Sequence, residues 1–146
     1  MPPTAPPSVL FVCTHNSARS VLAEALLRHR AGEYVRVFSA GTAPRGVHPG
    51  ALAALAEAGI PTAGLASGTI DDALAAIGGP PDVVVTVCDN AREACPVVPA
   101  GRNLHHAFPD PSAAPEADRP AAFAAVRDAV AAWLDADLIP SLSLPR

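Results

Sequence analysis

The sequence predicts a doubly wound α/β domain: three layers, with a four-stranded parallel sheet in the order 2-1-3-4 and helices on both faces. Three observations carry that expectation. Apolar, β-branched runs alternate with stretches of three-and-four apolar spacing, the pattern of strand–helix units joined by right-handed crossovers. The clearest run, Val83 to Val87 (VVVTV), is apolar on both faces, as a central parallel strand must be. Cys13, Cys88 and Asp110 each fall just past the end of an expected strand, and open parallel sheets place their chemistry at that edge.

The elements follow in order. Residues 1 to 7 (MPPTAPP) read as a Pro-rich tail, and residues 8 to 146 as a single catalytic domain without a dividing linker. Val9 to Val12 is a buried strand that stops at Cys13, and Val21, Leu22, Ala25 and Leu26 open a helix after a small polar loop. Tyr34 to Ala40 alternates as a second strand. The turn-rich stretch from Gly41 to Gly50 leads to a short helix through Leu52 and Leu55, closed by Gly59. Asp71 to Ile77 is another short helix, ended by GGPPD. Val83 to Val87 is the third strand, and Asn103 to Phe108 a weak fourth. Asp118 is placed as the N-cap of the last helix with Pro120 in its first turn. Phe123, Val126, Val130 and Trp133 form its apolar stripe, and Pro140 is expected to end it.

Composition narrows the function classes. Half of the 146 residues are apolar and 16% are charged, which suits a globular chain rather than a disordered one. The net charge is −4 and there is no basic run, so neither nucleic acid nor an anionic membrane is an expected partner. The start, MPPTAPPS, has no basic region and no apolar core, so no signal peptide is expected. A cytoplasmic protein follows. Three cysteines in a reducing compartment read as reactive thiols rather than a disulfide framework.

The stretch SVLFVCTHNSARS, Ser8 to Ser20, holds a C-x5-R spacing between a strand and a helix. Successive backbone N–H groups in a tight loop make an anion-binding concavity, to which the helix N-terminus adds its positive end. Thr14, His15, Asn16, Ser17, Ala18, Arg19 and Ser20 are therefore the expected oxyanion-binding residues. Arg19 can grip two oxygens of a tetrahedral anion in a fork. The same field favours a thiolate at Cys13, making it a nucleophile that faces the bound oxyanion. Ser20 is placed to donate to that thiolate, and Asn16 to fix the unusual loop backbone. Asp110, in PDP at the same sheet edge, is the candidate general acid.

Cys88 and Cys95 bear on which reaction takes place. Phosphoryl transfer needs one thiolate, whereas reduction of an oxyanion takes two electrons, which thiols supply by forming a disulfide. If the sheet order is 2-1-3-4, strands one and three are neighbours about 4.8 Å apart, so Cys13 and Cys88 lie on adjacent strand ends. No cofactor and no metal are expected. The five histidines form no ligand set, and Cys88, Cys95 and His105 or His106 lack the short paired spacing of a zinc site.

These blocks, VLFVCTHNSARS followed by AEALL, then TVCDNAREACPVVP, then the PDP loop, resemble the thioredoxin-coupled arsenate reductases. That family shares the fold of the low-molecular-weight protein tyrosine phosphatases. The resemblance implies that Cys13 attacks arsenate held by the loop and Arg19, with Asp110 assisting loss of oxygen as water. It further implies that Cys88 attacks Cys13, releasing arsenite, and that Cys95 attacks Cys88 to leave a disulfide for thioredoxin; phosphate and sulfate compete with arsenate. Ala18 replaces a second loop cysteine found in some relatives, which leaves the relay intact. Some relatives bind potassium through residues corresponding to Asn16, Glu24 and Ser39. Here the later ligand region, Ser67 to Thr69, lacks its acidic residue, and no ion is assigned. Two other classes stay open at this point: a phosphatase of phosphotyrosine or small phosphate esters, and a non-catalytic arsenite or metal sensor.

Overall fold

A computed structural model describes residues 6–89 and 96–144. Its sheet has four parallel strands, β1 (Ser8–Cys13), β2 (Arg36–Gly41), β3 (Val83–Thr86) and β4 (Arg102–His105), in the order β2-β1-β3-β4. The expected 2-1-3-4 order is therefore observed. β1 is central, pairing β2 in register from Ser8↔Arg36 to Cys13↔Gly41, and β3 from Val9↔Val83 to Val12↔Thr86. All six of its residues are buried, which is why it reads as an unbroken apolar run up to Cys13. A side-chain clamp sets the start of that register: Asp82 Oδ2 accepts from Ser8 N at 2.8 Å, and Ser8 Oγ accepts from Asp82 N at 3.0 Å.

The helices are α1 (Arg19–Ala31), α2 (Pro49–Glu57), α3 (Ile70–Ile77) and α4 (Arg119–Trp133). One large core joins α1, α2 and α4 to one sheet face through Phe11, Leu22, Leu26, Leu55, Phe123 and Val130, and a smaller one joins α3 to the other through Leu10, Val12, Ala73 and Ile77. Helices thus cover both faces, as the alternating pattern predicts. Local chemistry bounds the short helices: His48 and Thr69 cap α2 and α3 with their side chains, and Gly78 ends α3 in the left-handed region at φ 92°.

The C-terminal helix departs from expectation in two respects. Asp118 occupies the N-cap position but makes no side-chain cap bond, because Glu116–Asp118 already form a 3-10 turn that delivers the chain to α4. Pro140 does not end the helix. A π-helical turn, Leu134–Leu138, follows α4 and runs directly into a final turn, α5 (Ile139–Ser141), so Pro140 sits at the first positions of a new helical segment. A proline there needs no N–H, and the widened turn before it relieves the clash that a proline makes in a regular helix.

Candidate active site

Cys13 ends β1 and α1 begins at Arg19, so only five residues link strand to helix. The backbone of that loop is turned by its outer neighbours. Thr14 O accepts from Ala43 N at 2.8 Å, His15 O from Arg45 N at 3.0 Å and Ser17 O from His48 N at 2.9 Å. The Ser67 hydroxyl also donates to His15 O, at 3.3 Å. No peptide bond among the described residues is cis, so each carbonyl held outward turns the next N–H inward. The amides of His15, Asn16 and Ala18 therefore face the concave side, and no side chain caps α1. A ring of inward amides at a helix N-terminus can hold a tetrahedral anion.

Asn16 is the pivot of the loop. Its φ of 46° lies in the left-handed region, where Asn is tolerated better than most residues. Its side chain is fully buried and fully used: Oδ1 accepts from Gly68 N at 2.8 Å, while Nδ2 donates to Ser20 Oγ and Ser39 Oγ, both at 2.9 Å. Ser20 Oγ accepts from Asn16 and lies 2.9 Å from Cys13 Sγ, so its own proton is available to a thiolate there.

Arg19 is only 3% exposed, and its Nη1 donates to Phe108 O at 3.4 Å. This bond brings the loop and the segment leading to Asp110 together across the sheet edge. Asp110 caps a 3-10 turn (Pro111–Ala113), with Oδ1 accepting from Ser112 N at 2.9 Å and Ser112 Oγ at 2.7 Å. Those bonds commit one carboxyl oxygen and orient the other. Cys88 is fully buried just beyond β3, one strand from Cys13. Cys88 is disulfide-bonded and Cys13 is a free thiol. Cys95 lies outside the described residues.

The potassium ion implied for some relatives does not fit these residues. Ser39 Oγ donates to Glu24 Oε1, Asn16 Oδ1 is taken by Gly68 N, and the Arg28 guanidinium lies 2.5 Å from Glu24 Oε2. The oxygens that would ligate a cation are committed to donors, and the carboxylate already has its counter-charge. Among the described residues, no cluster of His, Cys, Asp or Glu has the arrangement of a metal site.

One residue that sequence reasoning passed over is Gly41. It pairs with Cys13 in the sheet, and a Cβ built on it would lie 2.7 Å from Thr14 O and 2.9 Å from Asn16 N. Backbone atoms cannot swing aside, so only glycine lets the loop pack against β2. Gly41→Ala is expected to lower kcat/KM by about 100-fold, the scale of an ångström-level misplacement. Thermal unfolding of the same variant would show how much of the loss is stability.

The model of the low molecular weight phosphotyrosine protein phosphatase family matches residues 8–135. The chain belongs to that family. Its relatives within the family include an arsenate reductase of Halalkalibacterium halodurans, 38% identical over 125 residues that cover 84% of this chain and 88% of the relative. Among solved structures, an arsenate reductase in the phosphate binding state superposes with a TM-score of 0.77 at 28% identity, covering 94% of this chain and 99% of that one. A thioredoxin-dependent arsenate reductase of Corynebacterium glutamicum gives a TM-score of 0.67 at 29% identity, with 95% of this chain and 63% of that chain covered. The low molecular weight phosphatase fold therefore frames the site, with the loop of Cys13 to Arg19 at its centre. No helix among the described residues is long and apolar enough to cross a membrane.

Proposed function

We propose that residues 8–146 act as one catalytic unit that reduces arsenate to arsenite through Cys13, Cys88 and Cys95, with thioredoxin as the reductant. In the first step the Cys13 thiolate attacks arsenic in an arsenate held by the loop amides from Thr14 to Ser20 and by Arg19. A sulfur–arsenic bond forms, and one arsenate oxygen leaves as water with a proton from Asp110. The Cys88 thiolate next attacks Cys13 Sγ. The new sulfur–sulfur bond replaces the sulfur–arsenic bond, whose electron pair stays on arsenic, so arsenic gains two electrons and leaves as arsenite. Cys95 then attacks Cys88 Sγ, restoring the Cys13 thiolate and leaving a Cys88–Cys95 disulfide, which a thioredoxin dithiol reduces by exchange.

The observation that carries this reading is the state of the two buried cysteines: Cys88 is disulfide-bonded while Cys13, one strand away, is free. A disulfide on the strand end beside a free nucleophilic thiol is what a thiol relay uses, and a phosphatase has no need of one. The names of the relatives agree, one an arsenate reductase and one thioredoxin-dependent. Reduced thioredoxin is a cytoplasmic resource, so the same reading places the protein in the cytoplasm. Phosphate and sulfate share the tetrahedral form of arsenate and compete for the loop.

The test is arsenate-dependent oxidation of NADPH in the presence of thioredoxin and thioredoxin reductase. The reading predicts turnover that requires both arsenate and thioredoxin. The family also supports a second reading, hydrolysis of phosphate esters by Cys13, Arg19 and Asp110 alone. Robust p-nitrophenyl phosphate turnover with no arsenate-dependent thioredoxin oxidation would favour that second reading.

A further inference from the structure

We propose that Glu24 and Arg28, in the second and third turns of α1, are positioning residues that hold in place the hydrogen-bond chain ending on Cys13. The inference rests on Cys13 being the nucleophile, not on the identity of its substrate. Its basis is a continuous chain of contacts. Arg28 Nη2 lies 2.5 Å from Glu24 Oε2 and 2.8 Å from Val37 O. Glu24 Oε1 accepts from Ser39 Oγ, which accepts from Asn16 Nδ2 at 2.9 Å. The other Asn16 Nδ2 proton goes to Ser20 Oγ at 2.9 Å, and Ser20 Oγ contacts Cys13 Sγ at 2.9 Å.

The direction of the bonds around Asn16 is determined. Gly68 N donates to Asn16 Oδ1, which fixes the amide and makes its nitrogen the donor to both serines. Each serine accepts from Asn16 and keeps its own proton to donate: Ser39 to Glu24, and Ser20 to Cys13 when Cys13 is the attacking thiolate. The Ser39 branch needs Glu24 Oε1 in place as its acceptor. Glu24 is only 7% exposed, and a second carboxylate, Asp72 of α3, lines the same cavity of about 330 Å³. Arg28 supplies the opposing charge. Without Arg28 the Glu24 carboxylate loses its partner and can turn away from Ser39, which then loses the contact that holds its hydroxyl against Asn16 Nδ2. Asn16, kept at a left-handed φ of 46°, is the residue least able to hold its place without those bonds.

The charged groups that face the chain are Arg28 and Asp72 at the Glu24 end and Arg19 at the Cys13 end. Bonds in a low-dielectric chain polarise one another, so removing the cation at one end weakens the proton donated at the other. The carbonyl contact with Val37 ties the same guanidinium to β2, next to Phe38 and Ser39, so the pair also fixes where Ser39 sits.

The experiment is the pH profile of Cys13 alkylation by iodoacetamide, followed by mass spectrometry of the Cys13 peptide in the full chain, with thermal unfolding in parallel. Arg28→Ala is expected to move the profile by about half to one unit toward higher pH and to slow alkylation near neutral pH about threefold to tenfold. Arg28→Lys, which keeps the charge, is expected to recover most of the shift. Arg30→Ala removes a cation from the same helix that pairs with Asp135 instead, at 2.8 Å, and is expected to leave the profile unchanged. A wild-type profile for Arg28→Ala would overturn the proposal, even with lowered thermal stability, because the residue would then serve stability alone. An equal shift in Arg30→Ala would overturn it too, by showing a general charge effect. The readout contains no arsenate, so it stands apart from the test of the reductase reading.

Discussion

Substitution of Cys13 by serine is expected to leave arsenate reduction at background and to remove phosphate-ester hydrolysis with it. Both reactions begin with the same attack, and a serine hydroxyl in this loop has neither the ionisation nor the polarisability of a thiolate. A serine also cannot form the disulfide that carries two electrons away from arsenic. The fold should be preserved. Cys13 is 2% exposed and already contacts the Ser20 hydroxyl at 2.9 Å, so an oxygen there keeps a hydrogen-bond partner. Thioredoxin-coupled NADPH oxidation and p-nitrophenyl phosphate hydrolysis, measured beside circular dichroism, check the expectation. Retained reduction in Cys13→Ser would remove Cys13 from the mechanism.

Cys88→Ala is expected to separate the two reactions that Cys13→Ser loses together. Arsenate reduction falls to background, because no thiol remains on the neighbouring strand end to break the sulfur–arsenic bond. Hydrolysis of p-nitrophenyl phosphate, at whatever level the wild type shows, stays within about twofold, since the loop, Arg19 and Asp110 are untouched. Cys88 is fully buried within the larger core, so deleting its sulfur and the disulfide costs stability of about 1–4 kcal/mol. The activities are therefore best compared well below the unfolding temperature. Parallel loss of both activities at such a temperature would count against a redox role for Cys88.

Much of this arrangement is legible in the sequence. The run from Val9 to Cys13 is apolar because β1 is central, and VVVTV is apolar because β3 is its neighbour; strand order then follows from the usual winding of such sheets. Asn16, Arg19 and Ser20 are legible because a short strand-to-helix loop with a cysteine at its start can use those side chains in few other ways. What escapes is what backbone atoms do. The outer loop of Thr42 to His48 turns the carbonyls of Thr14, His15 and Ser17 outward by its own N–H groups, and main-chain donors leave no mark in composition. Gly41 reads as one more turn glycine, although its role is the close approach of Thr14 and Asn16 rather than a special φ. Pro140 reads as a stop because the π-helical turn before it depends on the packing of Leu134 and Leu138 in the core. The ion pair of Glu24 and Arg28 has the spacing of any solvated helix pair; only burial of the carboxylate and its contact with Ser39 distinguish it.

The relay is tested most directly in Cys95→Ser given excess arsenate, thioredoxin, thioredoxin reductase and NADPH, with arsenite counted and disulfides located by peptide mapping. The account predicts about one arsenite per protein chain and a trapped disulfide between Cys13 and Cys88. Sustained turnover by Cys95→Ser with thioredoxin as the sole reductant, or a single turnover that leaves Cys13 and Cys88 unlinked, would contradict it.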